Sequence, residues 1–453
     1  MKPIYKRQFI FIFLGLIALV FPFLDTLFLV LVFLAGTLFF KKVSPESQVF
    51  KMLARESDIK TGKLTGLVQL FFIMTILLLI SYIIGPDKFP IFIIGGAYAI
   101  TIFGDGVADI INIHDREKNR NNTKIYSARS SIVFLISGCI FAFIVGALIV
   151  AWKGPVIYPN PYGILFFLAA LGAITGALLE SVTRDEDNIV IPFGSAMTMW
   201  LFYIFRFTYK MENLIIVLVF AFVLGYLAYR ARIADISAML SATLMGVVII
   251  ISSDRSWFFI LLAFFFLGSL FTRYKYSYKK AHGLAEKKGG ARGYKNVFSN
   301  SLAALSLAVA YRIFYPSHDL LLLSMYLGSV ATACGDTLAS EIGQTYKGEP
   351  RMITTFRKAP PGTDGAVSCL GQGAALFGSL AIALLAFLFI PGTQNDYRIA
   401  AIVVAGGFIG TNIDSVLGAT LQQKGYLTNN GVNLFATISG AIISGIIYLG
   451  LVV

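Results

Sequence analysis

The sequence predicts an all-α, polytopic integral membrane protein with about fifteen membrane-spanning helices, and three observations carry that prediction. Hydrophobic residues make up 57% of the 453 residues, charged residues make up 13%, and the mean hydropathy is +0.77. These values lie outside the range of soluble domains. The apolar residues form runs of roughly 20, the length that crosses a bilayer as a helix. Basic residues, which produce the net charge of +13, cluster between the runs, as they do in the loops of membrane proteins.

Each predicted span is an apolar run bounded by polar, glycine or proline residues. The runs are 9–22, 24–40, 64–85, 89–112, 131–152, 162–180, 189–207, 213–229, 233–252, 256–272, 297–315, 319–336, 365–390, 398–416 and 431–452. Pro22 and Asp25 separate the first two runs, so one long kinked helix is the alternative there, and it would reverse the orientation of every later span. Lys2, Lys6 and Arg7 before the first run resemble a signal peptide, but no small-residue cleavage site follows, so we expect the run to be retained.

The strongly basic loops predict which side of the membrane each helix end faces. They lie around 41–63, 113–129, 273–296 and 347–358, and we expect them in the cytoplasm, with the protein in the plasma (inner) membrane. Because the basic residues follow the spans and lack interleaved aromatic residues, the expected partners are membrane lipids and no nucleic acid. The three cysteines have no CxxC spacing, which argues against a disulfide framework or a zinc site. Four basic residues just past the tenth span are expected to face lipid headgroups: Arg273, Lys275, Lys279 and Lys280.

Two carboxylates stand at the end of the fourth predicted span. Asp105 and Asp109, in the motif Gly-Asp-Gly-Val-Ala-Asp, are four residues apart and therefore share one face of a helix. A charge near hydrocarbon costs about 2.5–3.5 kcal/mol on insertion scales, so it is rarely kept without a partner or a task. Mg²⁺ accepts one or two carboxylates and takes its other ligands from water and phosphates. We therefore expect Asp105 and Asp109 to bind Mg²⁺.

More polar residues follow on the same predicted side of the membrane. Glu180 ends the sixth span, and Asp187 and Asn188 precede the seventh. These three residues could complete the Mg²⁺ site, or one acid could position an attacking hydroxyl. Lys124 and Arg129, in the preceding basic loop, are expected to neutralise nucleotide phosphates. The alternative is that charged residues at span ends only mark the boundary between membrane and water.

The second half of the chain repeats this arrangement. Asp336 and Glu341 lie at the end of the twelfth span, in Gly-Asp-Thr-Leu-Ala-Ser-Glu, and Asp414 lies near the end of the fourteenth. Five residues place Asp336 and Glu341 about 140° apart around an ideal helix. They share a face only if the helix unwinds near Gly335 or Gly343, which is tolerated beside a polar cavity. We expect the three acids to be catalytic and to bind Mg²⁺.

A glycine-rich loop with basic neighbours follows Asp336. The loop at 360–365 reads Pro-Pro-Gly-Thr-Asp-Gly, and its glycines would let backbone N–H groups approach phosphate oxygens. We expect it to cradle phosphates, and a tight turn is the alternative. Amides near the last span are expected to contact the nucleotide, with helix caps as the alternative. The predicted phosphate- and nucleotide-binding residues of this half are Arg351, Arg357, Lys358, Gly362, Thr363, Gln422, Asn429, Asn430 and Asn433.

The order of these features suggests two modules, at 1–210 and 211–453. In each module an acidic span end is followed by a basic loop and then by another acidic span end. Such an order is typical of an internal duplication, although few residues are identical between the halves. Each half is therefore a candidate catalytic module.

Residues 60–210 resemble the CTP-dependent polyprenol kinases, the dolichol kinase and phytol kinase group. The resemblance rests on 103–109 (Phe-Gly-Asp-Gly-Val-Ala-Asp), on Glu180 with the following Ser, and on 187–192 (Asp-Asn-Ile-Val-Ile-Pro). The chain departs from the group at 126–131, which reads Tyr-Ser-Ala-Arg-Ser-Ser and lacks the Glu-Gly of the group's Lys-Ser/Thr-x-Glu-Gly-Ser stretch.

Residues 213–453 resemble the TMEM19/DUF92 family, which includes the plant and cyanobacterial phytyl phosphate kinases. Several blocks of the family occur here in the same order. The matching residues are Ala291, Arg292, Asn300, 335–337, Ser340, Glu341, 361–365, Asp414, Ser415, Gly418, Gln422, 427–430, Val432 and Asn433.

The two resemblances together imply an isoprenoid kinase. The first half would phosphorylate an isoprenoid alcohol such as phytol or geranylgeraniol, and the second half would add a phosphate to the resulting prenyl phosphate. They also imply CTP, or ATP, as the phosphoryl donor and Mg²⁺ as the cofactor, with the isoprenoid tail among the helices. Two alternatives use similar features: a CDP-lipid synthase that transfers a cytidylyl group, and a lipid-phosphate transporter built on repeats.

Overall fold

A computed structural model describes residues 3–118, 127–153, 160–183, 187–207, 209–285, 291–390 and 397–452. The fold is all-α, with one short two-stranded hairpin among the described residues, and this confirms the predicted fold class. The chain divides into two compact units, Met1–Ile216 and Val217–Val453.

Eleven helices in the described part of the chain are long and apolar enough to cross a membrane, judged by length and composition. The predicted runs 9–22, 24–40, 189–207 and 233–252 are also helical, but the helices there are shorter or less apolar than those eleven. The first two runs form separate helices, because the Asp25 side chain accepts a hydrogen bond from Phe28 N at 2.8 Å and caps the second helix.

The first unit contains ten complete helices among the described residues. They are α1 (Pro3–Leu14), α2 (Thr26–Lys42), α3 (Gln48–Leu53), α4 (Glu56–Thr61), α5 (Thr65–Ile84), α6 (Ile91–Ala99), α7 (Gly106–Lys118), α8 (Ala128–Lys153), α9 (Pro161–Val182) and α10 (Asp187–Ile204). A 3-10 turn extends α1 over Gly15–Val20, and a π-helical turn, Ile100–Asp105, joins α6 to α7. The helix α11 (Met211–Arg230) begins in the first unit and ends in the second.

Two glycines of α9 bring this helix against the π-helical turn. A Cβ at Gly172 would lie 2.9 Å from Ile100 Cδ1, and a Cβ at Gly176 would lie 2.8 Å from Ile100 Cγ2. Only a residue without a side chain allows so close an approach. Glu180, one helical turn after Gly176, is thereby carried toward Asp105 at the end of the π-helical turn.

The second unit contains the remaining elements. They are α12 (Ile236–Ser252), α13 (Arg255–Arg273), α14 (Tyr276–Ala281), α15 (Tyr294–Phe314), α16 (Asp319–Gly343), β1 (Arg351–Met352), β2 (Ala366–Val367), α17 (Cys369–Phe389), α18 (Tyr397–Leu417) and α19 (Asn429–Val452). A π-helical turn, Gly418–Gln422, continues α18. The strands β1 and β2 pair antiparallel, with Arg351 opposite Val367.

Glycines also set the packing of α16, α17, α18 and α19. A Cβ at Gly378 of α17 would lie 2.9 Å from Gly335 Cα of α16. A Cβ at Gly410 of α18 or at Gly440 of α19 would lie 2.3 or 1.9 Å from the Oγ1 of Thr332. The helix backbones are therefore in direct contact, as small residues allow in membrane bundles. This contact fixes the parts of α16 and α18 that carry the acidic residues of the second unit.

Replacing Gly440 by Ala should destabilise the second unit. The new Cβ would lie 1.9 Å from Thr332 Oγ1 and 3.0 Å from the Gly328 carbonyl oxygen, so α16 and α19 would have to separate. Overpacking of this kind costs about 1–3 kcal/mol. Thermal unfolding of the detergent-solubilised protein should show a lower Tm.

Gly373→Ala is the matched control. A Cβ at Gly373 meets nothing within 4 Å, and replacing a helical glycine by Ala stabilises a helix by about 1 kcal/mol. Its Tm should therefore be unchanged or slightly higher. Equal Tm values for the two variants would show that the close contact at Gly440 does not hold the helices together.

Candidate active sites

The π-helical turn of the first unit ends in the first acidic residue of the site. Asp105 is its last residue and is 3% exposed, while Asp109 lies in the first turn of α7 with 29% of its side chain exposed. π-helical turns are rare and are often found at functional sites, because they reorient side chains within a helix. Asp105 is thus buried, and Asp109 is accessible from solvent.

Arg55, in the segment before α4, lies between two of the predicted acids. Its Nη1 donates to both carboxylate oxygens of Asp187, at 3.1 and 3.0 Å, and its Nη2 lies 3.7 Å from Asp105 Oδ2. With its amide oxygen turned toward Arg55, Asn188 accepts from Nη1 and Nη2 at 3.1 Å. One guanidinium therefore connects the π-helical turn with the first turn of α10.

The backbone around Arg55 holds the guanidinium in place. Arg55 N donates to Asp58 Oδ2 at 3.0 Å, and Thr65 N donates to Asp58 Oδ1 at 2.9 Å. Burial by itself would lower the pKa of Arg55, but the carboxylates of Asp187 and Asp105 raise the pKa above its ordinary value. The guanidinium is therefore a permanent positive charge within the acidic cluster.

Residues of α1 contact the second acid of the motif. Gln8 Nε2 donates to Asp109 Oδ2, and Arg7 Nη2 lies 3.9 Å from the same oxygen. Because Asp109 is partly exposed, this ion pair is weaker than the contacts of Arg55. Two cations, Arg7 and Arg55, thus face the acids of the first unit.

Glu180 is the acid of this cluster without a hydrogen-bond partner among the described residues. Its side chain is fully buried on α9, and neither carboxylate oxygen makes a hydrogen bond within the described part of the chain. It lies close enough to Asp105, Asp109 and Asp187 for electrostatic interaction. Buried carboxylates without a partner are rare, because desolvating the charge is costly. Within the described residues, Glu180 is therefore an acid whose buried charge would need a bound ligand, a cation or a proton to compensate it.

Of the two predicted basic residues of the first half, the one that the structure describes pairs with an acid outside this cluster. Arg129 is 65% exposed and pairs with Asp115 at 3.3 Å, and Lys124 lies outside the described residues. Arg55 escaped the sequence analysis because it lies in a loop whose basic residues all fit the positive-inside pattern, so nothing set it apart.

The acids of the second unit meet across two helices. The carboxyl groups of Asp336 on α16 and Asp414 on α18 lie close enough to interact with each other. Asp414 Oδ1 is buried and has no hydrogen-bond partner among the described residues. Asp364, in the glycine-rich loop, is close enough to Asp414 for electrostatic interaction. Asp336 and Asp414 thus form a carboxylate pair that lies next to the loop.

Glu341 is separated from that pair. The helix α16 continues without a break to Gly343, so the unwinding needed to align Asp336 with Glu341 does not occur. Glu341 accepts instead from Lys279 Nζ, which also donates to the carbonyl oxygens of Thr272 at 2.8 Å and Phe271 at 3.2 Å. Lys279 is 1% exposed. The expectation that Lys279 faces lipid headgroups is therefore wrong. Glu341 forms an ion pair with Lys279 and does not share a helix face with Asp336, while its predicted role as a Mg²⁺ ligand stays a prediction.

The glycine-rich loop forms a tight turn fastened to α18. Gly362 and Gly365 have φ values of +83° and +79°, which favour glycine, and the N–H and Oγ1 of Thr363 both donate to Pro360 O, at 3.2 and 2.8 Å. Gln423 Nε2 donates to Asp364 O at 2.9 Å, just after the π-helical turn that follows α18. The turn geometry thus places Asp364 beside Asp414.

The basic residues of the loop are largely engaged within it. Arg351 Nη1 donates to Phe356 O at 3.2 Å, and Lys358 pairs with Glu349. Arg357 is exposed. The backbone carbonyl oxygen of Arg357 accepts from Met352 N at 2.9 Å.

The predicted amide residues lie at the start of α19 and in the π-helical turn before it. Asn429 is exposed, Asn430 and Gln422 are half-buried, and Asn433 is buried. The hydroxyl of Thr428 accepts from Gly431 N at 3.3 Å and caps the helix. The asparagines are therefore not the capping residues, and they remain candidates for ligand contacts.

The described carboxylates could bind a divalent cation as a pair but not as a group of three. Among the described residues, no three Asp, Glu, His or Cys side chains are close enough to hold a metal ion together. A pair of carboxylates nevertheless suffices for Mg²⁺, which draws its other ligands from water and phosphate. The unpartnered oxygens of Glu180 and Asp414 are donors of the type that this ion prefers.

Replacing Arg55 by Gln should destabilise the first unit. The change would leave Asp105 and Asp187 without their shared cation, and removing one partner of a buried ion pair costs about 3–5 kcal/mol. We expect the free energy of unfolding to fall by about 3 kcal/mol, at the lower end of this range, because 24% of the Arg55 side chain is exposed. Denaturant unfolding followed by tryptophan fluorescence measures this change.

Arg129→Gln is the matched control, since it removes an exposed ion pair and should change the free energy of unfolding by less than about 1 kcal/mol. Adding Asp187→Asn to Arg55→Gln should restore part of the lost free energy of unfolding, because it removes a buried carboxylate that the first substitution leaves without its cation. An Arg55→Gln protein as stable as the wild type would mean that the guanidinium does not compensate the acids.

Comparisons with known proteins assign the second half of the chain to a protein family. Residues 219–441 match the family described as integral membrane protein DUF92. An uncharacterized membrane protein of Methanocaldococcus jannaschii is 35% identical over 226 residues, which cover 50% of this chain and 90% of that protein. An uncharacterized membrane protein of Synechocystis is 39% identical over 207 residues, which cover 45% of this chain and 78% of that protein.

The chloroplastic protein VTE6 of Arabidopsis thaliana is 30% identical over 213 residues, which cover 46% of this chain and 63% of that protein. No solved structure matches the chain. The resemblance of the first half to polyprenol kinases stays a prediction, whereas the resemblance of the second half is confirmed. The chain belongs, through residues 219–441, to the integral membrane protein family DUF92.

Proposed function

We propose that the second unit is a membrane-embedded phosphotransferase that adds a phosphate to an isoprenyl monophosphate. The observation that carries the proposal is the Asp336–Asp414 pair, which two glycine-packed helices hold beside the loop of Asp364. The resemblance of this half to the phytyl phosphate kinases supports the same reaction class. The proposed donor is CTP or ATP, and the proposed cofactor is Mg²⁺.

The residues of the second unit suit phosphoryl transfer, in which positioning and charge neutralisation provide most of the catalysis. Asp336 and Asp414 would hold Mg²⁺, which when bound neutralises charge on phosphate oxygens. The left-handed conformations of Gly362 and Gly365 leave the backbone of the loop accessible to a phosphate. Arg357, exposed on the same hairpin, would supply a further positive charge.

We propose that the first unit phosphorylates the isoprenoid alcohol. Asp105 and Asp109 would hold the cation, and the guanidiniums of Arg55 and Arg7 would bind phosphate oxygens. Glu180, whose two oxygens have no hydrogen-bond partner among the described residues, would accept the proton of the attacking hydroxyl. Arg55 already contacts Asp105 and Asp187 in this unit. A substrate phosphate that binds Arg55 would therefore have to replace part of these contacts.

The test of the proposed function is a product analysis with the purified full chain. The protein is incubated with Mg²⁺, γ-labelled CTP or ATP, and either phytol, geranylgeraniol or their monophosphates. Label in a lipid diphosphate, with release of free nucleoside diphosphate, is the expected result. Nucleotide retained in the lipid product would identify a CDP-lipid synthase, and movement of lipid phosphate across vesicles without turnover would identify a transporter.

Asp336→Asn should abolish the phosphorylation of prenyl monophosphate. The amide keeps the shape of the side chain but loses the charge that attracts Mg²⁺, and we expect a fall in kcat of roughly 10²–10³-fold. Asp319→Asn is the control, because Asp319 lies at the opposite end of the same helix and accepts from Leu320 N at 2.8 Å. Turnover near the wild-type rate at saturating Mg²⁺ would remove Asp336 from the site.

Asp105→Asn should block phosphorylation of the alcohol and leave phosphorylation of the monophosphate intact. The reason is that each unit has its own acids and its own basic residues. The two reactions are measured separately, with geranylgeraniol and with geranylgeranyl monophosphate as substrates. Loss of both activities in a folded variant would argue for one composite site instead of two modules.

A further inference from the structure

A largely apolar, partly open pocket lies among α11, α12, α13 and α15 of the second unit. Seventeen residues line it, and of these only Ser269 and Arg292 are polar. A pocket this apolar, with its polar groups confined to two residues, suits an amphiphile with a long hydrocarbon part and a small charged end.

Small residues on two helices create the space. The wall formed by α11 and α12 consists largely of alanines and glycines, such as Gly225, Ala238 and Ala242, whereas α13 contributes large side chains such as Phe258 and Phe265. Alanine and glycine are too short to reach the side chains of α13, so an apolar groove remains between these helices. The groove offers a surface that matches a hydrocarbon chain in polarity.

The charged end of the pocket is held firmly. Arg292 N donates to Ile233 O at 2.9 Å, and Arg292 O accepts from Asp235 N at 2.9 Å, so the backbone is fixed against the start of α12. The guanidinium lies 5.6 and 5.8 Å from the ring centres of Phe264 and Phe265. Cation–π contacts of this kind orient an arginine within an apolar environment.

The same guanidinium lies close to the proposed catalytic helix. Around the position that a Cβ of Gly268 would occupy, Arg292 Nη2 is 2.5 Å away and Thr337 Cγ2 is 3.2 Å away. Thr337 is the residue after Asp336 on α16. The polar end of the pocket thus points toward the helix that carries the carboxylate pair.

We propose that this pocket binds the hydrocarbon chain of an isoprenyl monophosphate, with Arg292 contacting its phosphate. The inference rests on the proposed function of the second unit and assigns its lipid site. Arg292 is complementary to a phosphate in charge, and the lining is complementary to a hydrocarbon in polarity. The phosphate would then be held within reach of α16, and the length of the pocket would set the preferred chain length.

The test uses a geranylgeranyl monophosphate that carries a diazirine near the end of its chain, bound to the full-length protein without nucleotide. Illumination should crosslink the probe to peptides of α11, α12 or α13. Ala242→Phe would fill the pocket and should lower crosslinking by about tenfold, because losing the burial of about two methylenes has that effect. Val223→Phe is the matched control, since Val223 is 46% exposed and does not line the pocket, and it should crosslink like the wild type.

A second variant tests the charged end. Gly268→Ala would place a Cβ 2.5 Å from Arg292 Nη2 and should displace the guanidinium, weakening binding of the phosphate probe but not of the corresponding alcohol probe. Equal effects on the two probes would overturn the assignment of Arg292. If Ala242→Phe does not fold, as judged by gel filtration, the crosslink map of the wild type still decides the position of the chain.

Three outcomes would overturn the lipid site: crosslinks only outside α11–α13, full crosslinking in folded Ala242→Phe, or equal competition by phosphatidic acid, which would assign the pocket to ordinary phospholipid. The experiments distinguish a wrong lipid site from a wrong proposed function. A protein that crosslinks as expected but transfers no phosphate retains the lipid site and loses the kinase assignment. A kinase whose KM for geranylgeranyl monophosphate is unchanged in Ala242→Phe loses the lipid site alone.

Discussion

The carboxylates buried among the apolar helices impose the constraint on which the two units depend. An ionised acid loses its hydration there, and it is stable only with a cation, hydrogen-bond donors or a ligand. The protein meets this need with Arg55 for Asp105 and Asp187 in the first unit, and with Lys279 for Glu341 in the second. Glu180 and Asp414 retain buried oxygens without hydrogen-bond partners among the described residues.

The glycine contacts give those acids their geometry. Helices whose backbones touch cannot shift without losing contact along their length, so the residues beside the glycines are precisely placed. In the second unit, the contacts of Gly335, Gly410 and Gly440 hold Asp336 near Asp414. In the first unit, Gly172 and Gly176 perform the same task for Glu180. The stability of the bundle and the construction of each site therefore have the same physical origin.

The two units use their charges differently. Arg55 neutralises Asp105 and Asp187 internally, which stabilises the cluster but also occupies part of the surface that a phosphate or cation would need. Among the described residues no cation lowers the pKa of Asp336 or Asp414 in the way that Arg55 acts on its acids, and Lys279 pairs with Glu341 instead. The two units therefore differ in how the described residues compensate the charge of their buried acids.

Composition and periodic apolar runs by themselves determined the all-α membrane fold, because hydrocarbon burial requires helices of a given length and the runs have that length. The motifs also identified the acids, since a carboxylate in an apolar run is costly enough to stand out. The tertiary structure alone decided which charges meet. Arg55, just before α4, and Lys279, on α14, are distant in sequence from the acids they contact, and Glu341 turns away from Asp336 because α16 stays helical. Which distant charges form ion pairs depends on how the helices pack against one another. The periodicity of a sequence shows only which residues share a face of the same helix.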